Sequence, residues 1–176
     1  ACKRWNDFGH PEYKVNVNLS VVQLRQHDIM DKINEALQLT AIDPKSLTLE
    51  VTASLAINDM ERMIKILEAI RALGCRVALD DFGTGYSSLN HIRSMPIDTI
   101  KIDRAFVSDM GSDHFSEAFV KTTAELADSL DVDVCVEGVE YDKQIDMIGK
   151  FSVNLAQGFF FDKPLTRDEF EQRYLQ

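Results

Sequence analysis

Two aspartates stand side by side in "ALDDFGTGYSSL", residues 78 to 89, where an apolar run gives way to a loop containing glycines. Like charges so placed either make a solvated turn or share a cation. Glu50 in "LTLEVT", Glu137 in "VCVEGVE" and Asn18 in "VNVNLS" stand at the ends of other apolar runs, and Lys101 in "TIKID" does so with the opposite charge. Three carboxylates and an amide oxygen gathered at one rim would repel unless a cation sat among them. Oxygen ligands suit a hard divalent ion, Mg2+ or Mn2+, better than zinc. Gly83 and Gly85, on either side of Thr84, free the backbone to turn Asp81 toward the same cluster as Asp80. Two metals about 3.5–4 Å apart with shared carboxylates are suited to in-line phosphodiester cleavage. Lys101 then supplies a fixed charge for a phosphate oxygen or for orienting the attacking water.

Each residue alone has a plainer reading. "DDFGTG" is a polar turn, a lone Glu or Lys is a solvated rim charge, Asn18 with Ser20 caps a helix, and Gln157 is a satisfied strand-end amide. The rim residues by themselves also allow another carboxylate-ligated metal enzyme, one that stabilises an enolate. What sets them apart is repetition: five strand candidates end in compatible groups, Asn18, Glu50, Asp80, Lys101 and Glu137.

The elements that must position these groups follow from hydrophobic period. Strands are expected at Val15–Leu19, Leu47–Val51, Val77–Asp80, Thr99–Ile102, Val132–Val136 and Leu155–Phe160. Helices are expected at Val21–Leu39, Asn58–Leu73, Ser88–Ser94, Phe115–Leu130, Asp142–Phe151 and Thr166–Leu175. Asn58 can cap the second of these, and Thr166 with Glu169 forms a capping box in the last. Strand–helix alternation implies a parallel sheet. Successive strand residues face opposite sides, so Leu49, Val51, Val77, Leu79, Ile100, Ile102, Val134 and Val136 share one face while Thr48, Glu50, Asp80, Thr99, Lys101, Asp103, Cys135 and Glu137 share the other. An open doubly wound sheet wants both faces apolar. A barrel wants aliphatics outward and its chemistry at the C-terminal rim, so a TIM-like barrel is the expected fold.

The whole chain sets bounds on function. Its 176 residues suit one domain with a substantial core. A net charge of −10 opposes a DNA- or RNA-binding groove, although a small anion met by local cations remains possible. No apolar run approaches the roughly 20 residues of a membrane helix and no signal peptide opens the chain. Cys2, Cys75 and Cys135 are few and far apart, as free thiols in a reducing compartment would be, so a cytoplasmic location is expected. The histidines and Trp5 form no ligand pattern and are read as structural.

In order and spacing, "VNVNLS", "LTLEVT", "VALDDFGTGYSSL", "IDTIKIDRAFV", "VCVEGVE" and "AQGFFFDKPL" resemble the EAL domain of bacterial cyclic di-GMP phosphodiesterases. That resemblance implies a (β/α)8 barrel that hydrolyses cyclic di-GMP to linear pGpG with Mg2+ or Mn2+, Ca2+ supporting binding without turnover. It implies Asn18, Glu50, Asp80, Asp81 and Glu137 as metal ligands and Lys101, Glu137 and Asp81 as the catalytic groups. It further implies Glu140, Gln157 and Asp103 as substrate and supporting contacts, and a cytoplasmic homodimer coupled to sensory or GGDEF-type domains. Two departures stand out. The Glu-Ala-Leu that names the family belongs to a strand upstream of Asn18, whereas Glu35-Ala36-Leu37 here falls within a helical pattern, with Ile33, Ala36 and Leu37 in its buried stripe. Six strands, not eight, are therefore expected over residues 1–176, without the first two strands and one metal-binding Glu. Ala53 replaces a Glu that in the family supports the "DDFGTG" loop, implying a looser loop and impaired turnover; the alternative is a non-hydrolysing cyclic di-GMP sensor or interaction module.

Overall fold

The computed structural model describes residues 1–52, 60–84 and 89–175. Six strands form one parallel sheet in sequence order: β1 (Val15–Leu19), β2 (Leu47–Thr52), β3 (Arg76–Phe82), β4 (Thr99–Ile102), β5 (Asp133–Glu137) and β6 (Leu155–Gln157). The helices are α1 (Cys2–Asp7), α2 (Val21–Leu24), α3 (Ile29–Thr40), α4 (Met60–Ala72), α5 (Leu89–Ser94), α6 (Arg104–Ser108), α7 (His114–Ser129), α8 (Asp142–Ile148) and α9 (Arg167–Tyr174), with a 3-10 turn at Pro44–Ser46. This is six strands' worth of a barrel wall. The expected faces hold: Val51, Val77, Ile100, Ile102, Val134 and Val136 are fully buried in the apolar core with Leu67 and Ile70 of α4 and Val120 and Ala127 of α7. On the edge strand β1, Val17 stays 42% exposed.

The expected helix over Val21–Leu39 is two helices, separated by the polar run Arg25-Gln26-His27-Asp28. Leu24 and Ile29 are both buried; five positions apart on one helix they would diverge by about 140°, so the break lets both face the core. In α3, Ile33 is buried and Leu37 half-buried, but Ala36 is exposed rather than part of the buried stripe. It borders an open apolar cavity of about 460 Å3 beside β1 and β2. The last strand stops at Gln157 instead of running to Phe160, because the chain folds over Val139. Val139 N–H donates to Gln157 O at 3.0 Å, Phe160 N–H donates to Val139 O at 2.9 Å, and a Cβ on Gly158 would lie 2.0 Å from Val139 O. Likewise α8 ends at Ile148, not Phe151, and α6 is a short helix that periodicity did not signal. The Asn58 cap, the Ser88 helix start, Ala53 and Gly85 lie outside the described residues.

Among the described residues, strands β1 and β6 are the ends of the ladder and do not pair. The flanking helices meet instead. Trp5 stacks on Phe170 with ring centroids 4.7 Å apart and donates from Nε1 to Glu171 at 2.9 Å, while Arg4 pairs with the same carboxylate. Tyr13 O–H donates to Tyr174 O at 3.2 Å.

Candidate active site

Parallel register stacks the rim groups with a stagger. Asn18 faces Glu50 and Thr52 faces Asp80, whereas Lys101 faces Cys135 and Glu137 faces Gln157. Tilted barrel strands produce such an offset, and long side chains span it. Lys101 Nζ lies 2.7 Å from Glu137 Oε1, 2.8 Å from Glu50 Oε1 and 3.0 Å from Asp80 Oδ1. The Lys101 and Glu50 side chains are each only 6% exposed. Burial alone would lower the Lys101 pKa; its contacts with Glu137, Glu50 and Asp80 more than reverse this and hold it above the ordinary lysine value. Burial raises Glu137, and the Lys101 ammonium opposes that rise without cancelling it. Cys135, inside the same wall, is pushed up to about 12 by burial and then by the Glu137 charge, so it is a packed thiol and not a nucleophile.

The two aspartates owe their placement to a break in the ladder. Leu79 pairs with Ile100 and Phe82 with Ile102, so Asp80 and Asp81 together oppose Lys101 alone. One extra residue on β3 makes a β-bulge, rare in parallel sheets and a device for re-aiming side chains. Asp81 adopts the left-handed conformation, φ 55°, and Gly83 follows at φ 103°. Asp81 itself is exposed. Desolvation raises its pKa first, and the negative charges of Asp80 and Asp103 add to the rise. Thr84 closes the turn, donating from Oγ1 to Asp81 O at 2.9 Å.

Of the residues expected at the rim, the structure joins Glu50, Asp80, Glu137 and Lys101 in one contact cluster and leaves Asp81 beside it. Asn18 is exposed in register with Glu50. Asn16 is a residue that sequence reasoning passed over: its Nδ2 donates to Glu50 Oε1 at 2.8 Å. Alternation put it on the same face as Asn18, and that was the available signal. Asp103 caps α6, accepting from Ala105 N–H at 2.8 Å. It also lines, with Arg104, Glu137, Glu140, Gln157 and Phe159, a rim cavity of about 240 Å3.

The donors suit a divalent cation. Asp80 Oδ1 is buried and has no hydrogen-bond partner beyond its 3.0 Å ion pair with the Lys101 ammonium. Three carboxylates face one ammonium, which leaves an excess of negative charge before Asp81 is counted. Among the described residues no three carboxylate, imidazole or thiol groups form a ready cage. Lys101 stands at the centre as counter-ion, and a metal would share these oxygens with it.

A parallel α/β wall with an ion-paired carboxylate rim thus defines a TIM-barrel-type fold with a carboxylate-lined mouth. The chain belongs to the EAL domain family, whose model matches residues 1–164. It is 34% identical over 172 residues to the bifunctional diguanylate cyclase/cyclic di-GMP phosphodiesterase MucR of Pseudomonas aeruginosa, covering 96% of this chain and 25% of that protein. It is 36% identical over 171 residues to the cyclic di-GMP phosphodiesterase PdeR of Escherichia coli, covering 97% of this chain and 26% of that protein. The chain therefore spans about a quarter of these relatives' length. Its fold matches a MucR phosphodiesterase in complex with c-di-GMP at a TM-score of 0.91 and 34% identity, covering 96% of this chain and 68% of that one. It matches a manganese/cy-diGMP complex of Klebsiella pneumoniae BlrP1 at 0.82 and 27%, covering 91% of this chain and 41% of that one.

Proposed function

We propose that this chain carries most of the active site of a metal-dependent phosphodiesterase that opens cyclic di-GMP to linear pGpG. The observation that carries the reading is the cluster of Glu50, Asp80 and Glu137 around Lys101 beside a bulge that presents Asp81. Glu50, Asp80, Asp81, Glu137 and Asn18 would hold Mg2+ or Mn2+ through their oxygens. A divalent ion bound there would supply an acidified water and charge neutralisation for the phosphate. Lys101 holds the attacking water or a phosphoryl oxygen, and its raised pKa keeps the charge in place throughout. Water adds to phosphorus, the bond to the ribose 3′ oxygen breaks, and that oxygen leaves with a proton. Glu140, Gln157 and Asp103, around the adjoining cavity, meet the rest of the dinucleotide.

Two further strands closing the gap between β1 and β6 belong to the same reading, supported by the unpaired edges of those strands. So do homodimerisation, coupling to sensory or GGDEF-type domains, and a cytoplasmic setting. The greater length of the relatives supports the coupling to further domains. Ala53 favours a second reading, a sensor that binds cyclic di-GMP without cleaving it.

The test incubates the full-length protein carrying this chain with cyclic di-GMP and Mn2+ or Mg2+, following pGpG by chromatography, with Glu50→Gln as the inactive control. Binding in Ca2+ without pGpG in Mn2+ establishes the sensor. Neither binding nor product overturns both readings.

A further inference from the structure

The bulge that aims Asp80 and Asp81 is held from beneath by aromatic rings. Immediately beyond it, the Gly83 backbone packs closely against Phe106 of α6 and Phe119 of α7: a Cβ at Gly83 would fall 2.4 Å from Phe106 Cε2 and 2.7 Å from Phe119 Cζ. The two rings stack with centroids 4.0 Å apart at 19°, and Phe82, the last residue of β3, joins them at 5.8 Å from Phe119. Phe82 is also the residue at which the β3–β4 ladder resumes, opposite Ile102. A non-glycine residue in the left-handed region is strained and persists only where its surroundings over-determine it. Upstream of Asp81 the paired strand supplies that restraint. Downstream, the described contacts are the ring stack, the Thr84 turn and a hydrogen bond donated by Asp103 N–H to Phe82 O at 3.4 Å.

We propose that Phe106 and Phe119 are positioning residues for the Asp80–Asp81 pair: by seating Gly83 they fix the exit of the bulge and so set the direction of both carboxylates. Both rings close on the chain at Gly83, so their influence runs through the backbone of residues 81–84. Glycine is required at 83 for closeness as well as for its φ, since the rings leave no room for a side chain. The proposal rests on the phosphodiesterase reading only for its metal readout.

The experiment compares Phe106→Leu and Phe119→Leu with Phe115→Leu. Phe115 is 68% exposed at the edge of the same cluster and serves as the control. Hydrogen exchange at the amides of residues 81–84 and Mn2+ affinity by calorimetry are measured without substrate. Either leucine variant is expected to speed exchange at 81–84 about tenfold while β4 and β5 keep their protection. Mn2+ affinity is expected to weaken about tenfold, and Phe115→Leu to change neither. The variants sit on different helices, so one that fails to fold leaves the other to decide. A variant with a lower melting temperature but unchanged exchange at 81–84 overturns the proposal, because a purely structural ring has that signature. If the parent binds no Mn2+, the phosphodiesterase reading fails by itself and the exchange data still decide the positioning role.

Discussion

Replacing Lys101 by Met probes the site at its centre. Methionine keeps most of the side-chain length and removes the ammonium, leaving Glu50, Asp80 and Glu137 to face one another with side chains 6%, 13% and 18% exposed. Removing one partner of a buried ion pair costs about 3–5 kcal/mol. Against a whole-domain stability of about 5–15 kcal/mol, that is about a fifth at the least and most of it at the extreme. For a chain of this size the melting temperature should fall by roughly 6–20 °C. The pH dependence has a definite sign. Burial raises the Glu137 pKa and Lys101 opposes the rise, so deleting the ammonium lifts Glu137 further. A carboxyl raised in the folded state contributes its full stability below its unfolded pKa and loses it as pH rises through the folded value. The gap between parent and variant therefore widens from about pH 5 to about pH 8. Circular dichroism melts at both pH values read it directly. A variant melting within about 2 °C of the parent at pH 8, or a gap that narrows with rising pH, refutes the claim that Lys101 neutralises this cluster.

Asn16→Ala removes the hydrogen bond to Glu50 Oε1; turnover should drop about tenfold, near the lower end of the 1.5–3 kcal/mol assigned to bonds with charged groups, and steady-state kinetics measure it. Gly158→Ala drives a Cβ into the backbone of Val139, which cannot yield as a side chain would, so urea denaturation should show a loss of about 1–3 kcal/mol. Ala53→Glu restores the carboxylate that the family resemblance places behind the "DDFGTG" loop. If misplacement limits the rate, pGpG formation rises by up to about 100-fold, and an unchanged rate removes Ala53 from the explanation.

Alternation within single strands made much of this protein legible before any coordinates. In "LTLEVT", "TIKID" and "VCVEGVE" the two-residue period assigned Glu50, Lys101 and Glu137 to one face and the aliphatics to the other, and the parallel sheet keeps those assignments. That rule needs only the geometry of an extended chain, so it travels with the sequence. Contacts between strands obey a different control. Alternation puts Lys101 on the carboxylate face, but only the fold sets its ammonium within reach of three carboxylates at once, because strand stagger brings residues at unequal register positions to one height. Asn16, not Asn18, reaches Glu50 for the same reason. The bulge at Asp80–Asp81, the stop of β6 against Val139 and the break between α2 and α3 each arise where one segment meets another through space. The sequence by itself therefore determined which side chains share a face and which chemistry they can do. Only the tertiary structure decided which of them touch, because register, stagger and close backbone approach depend on partners many residues away.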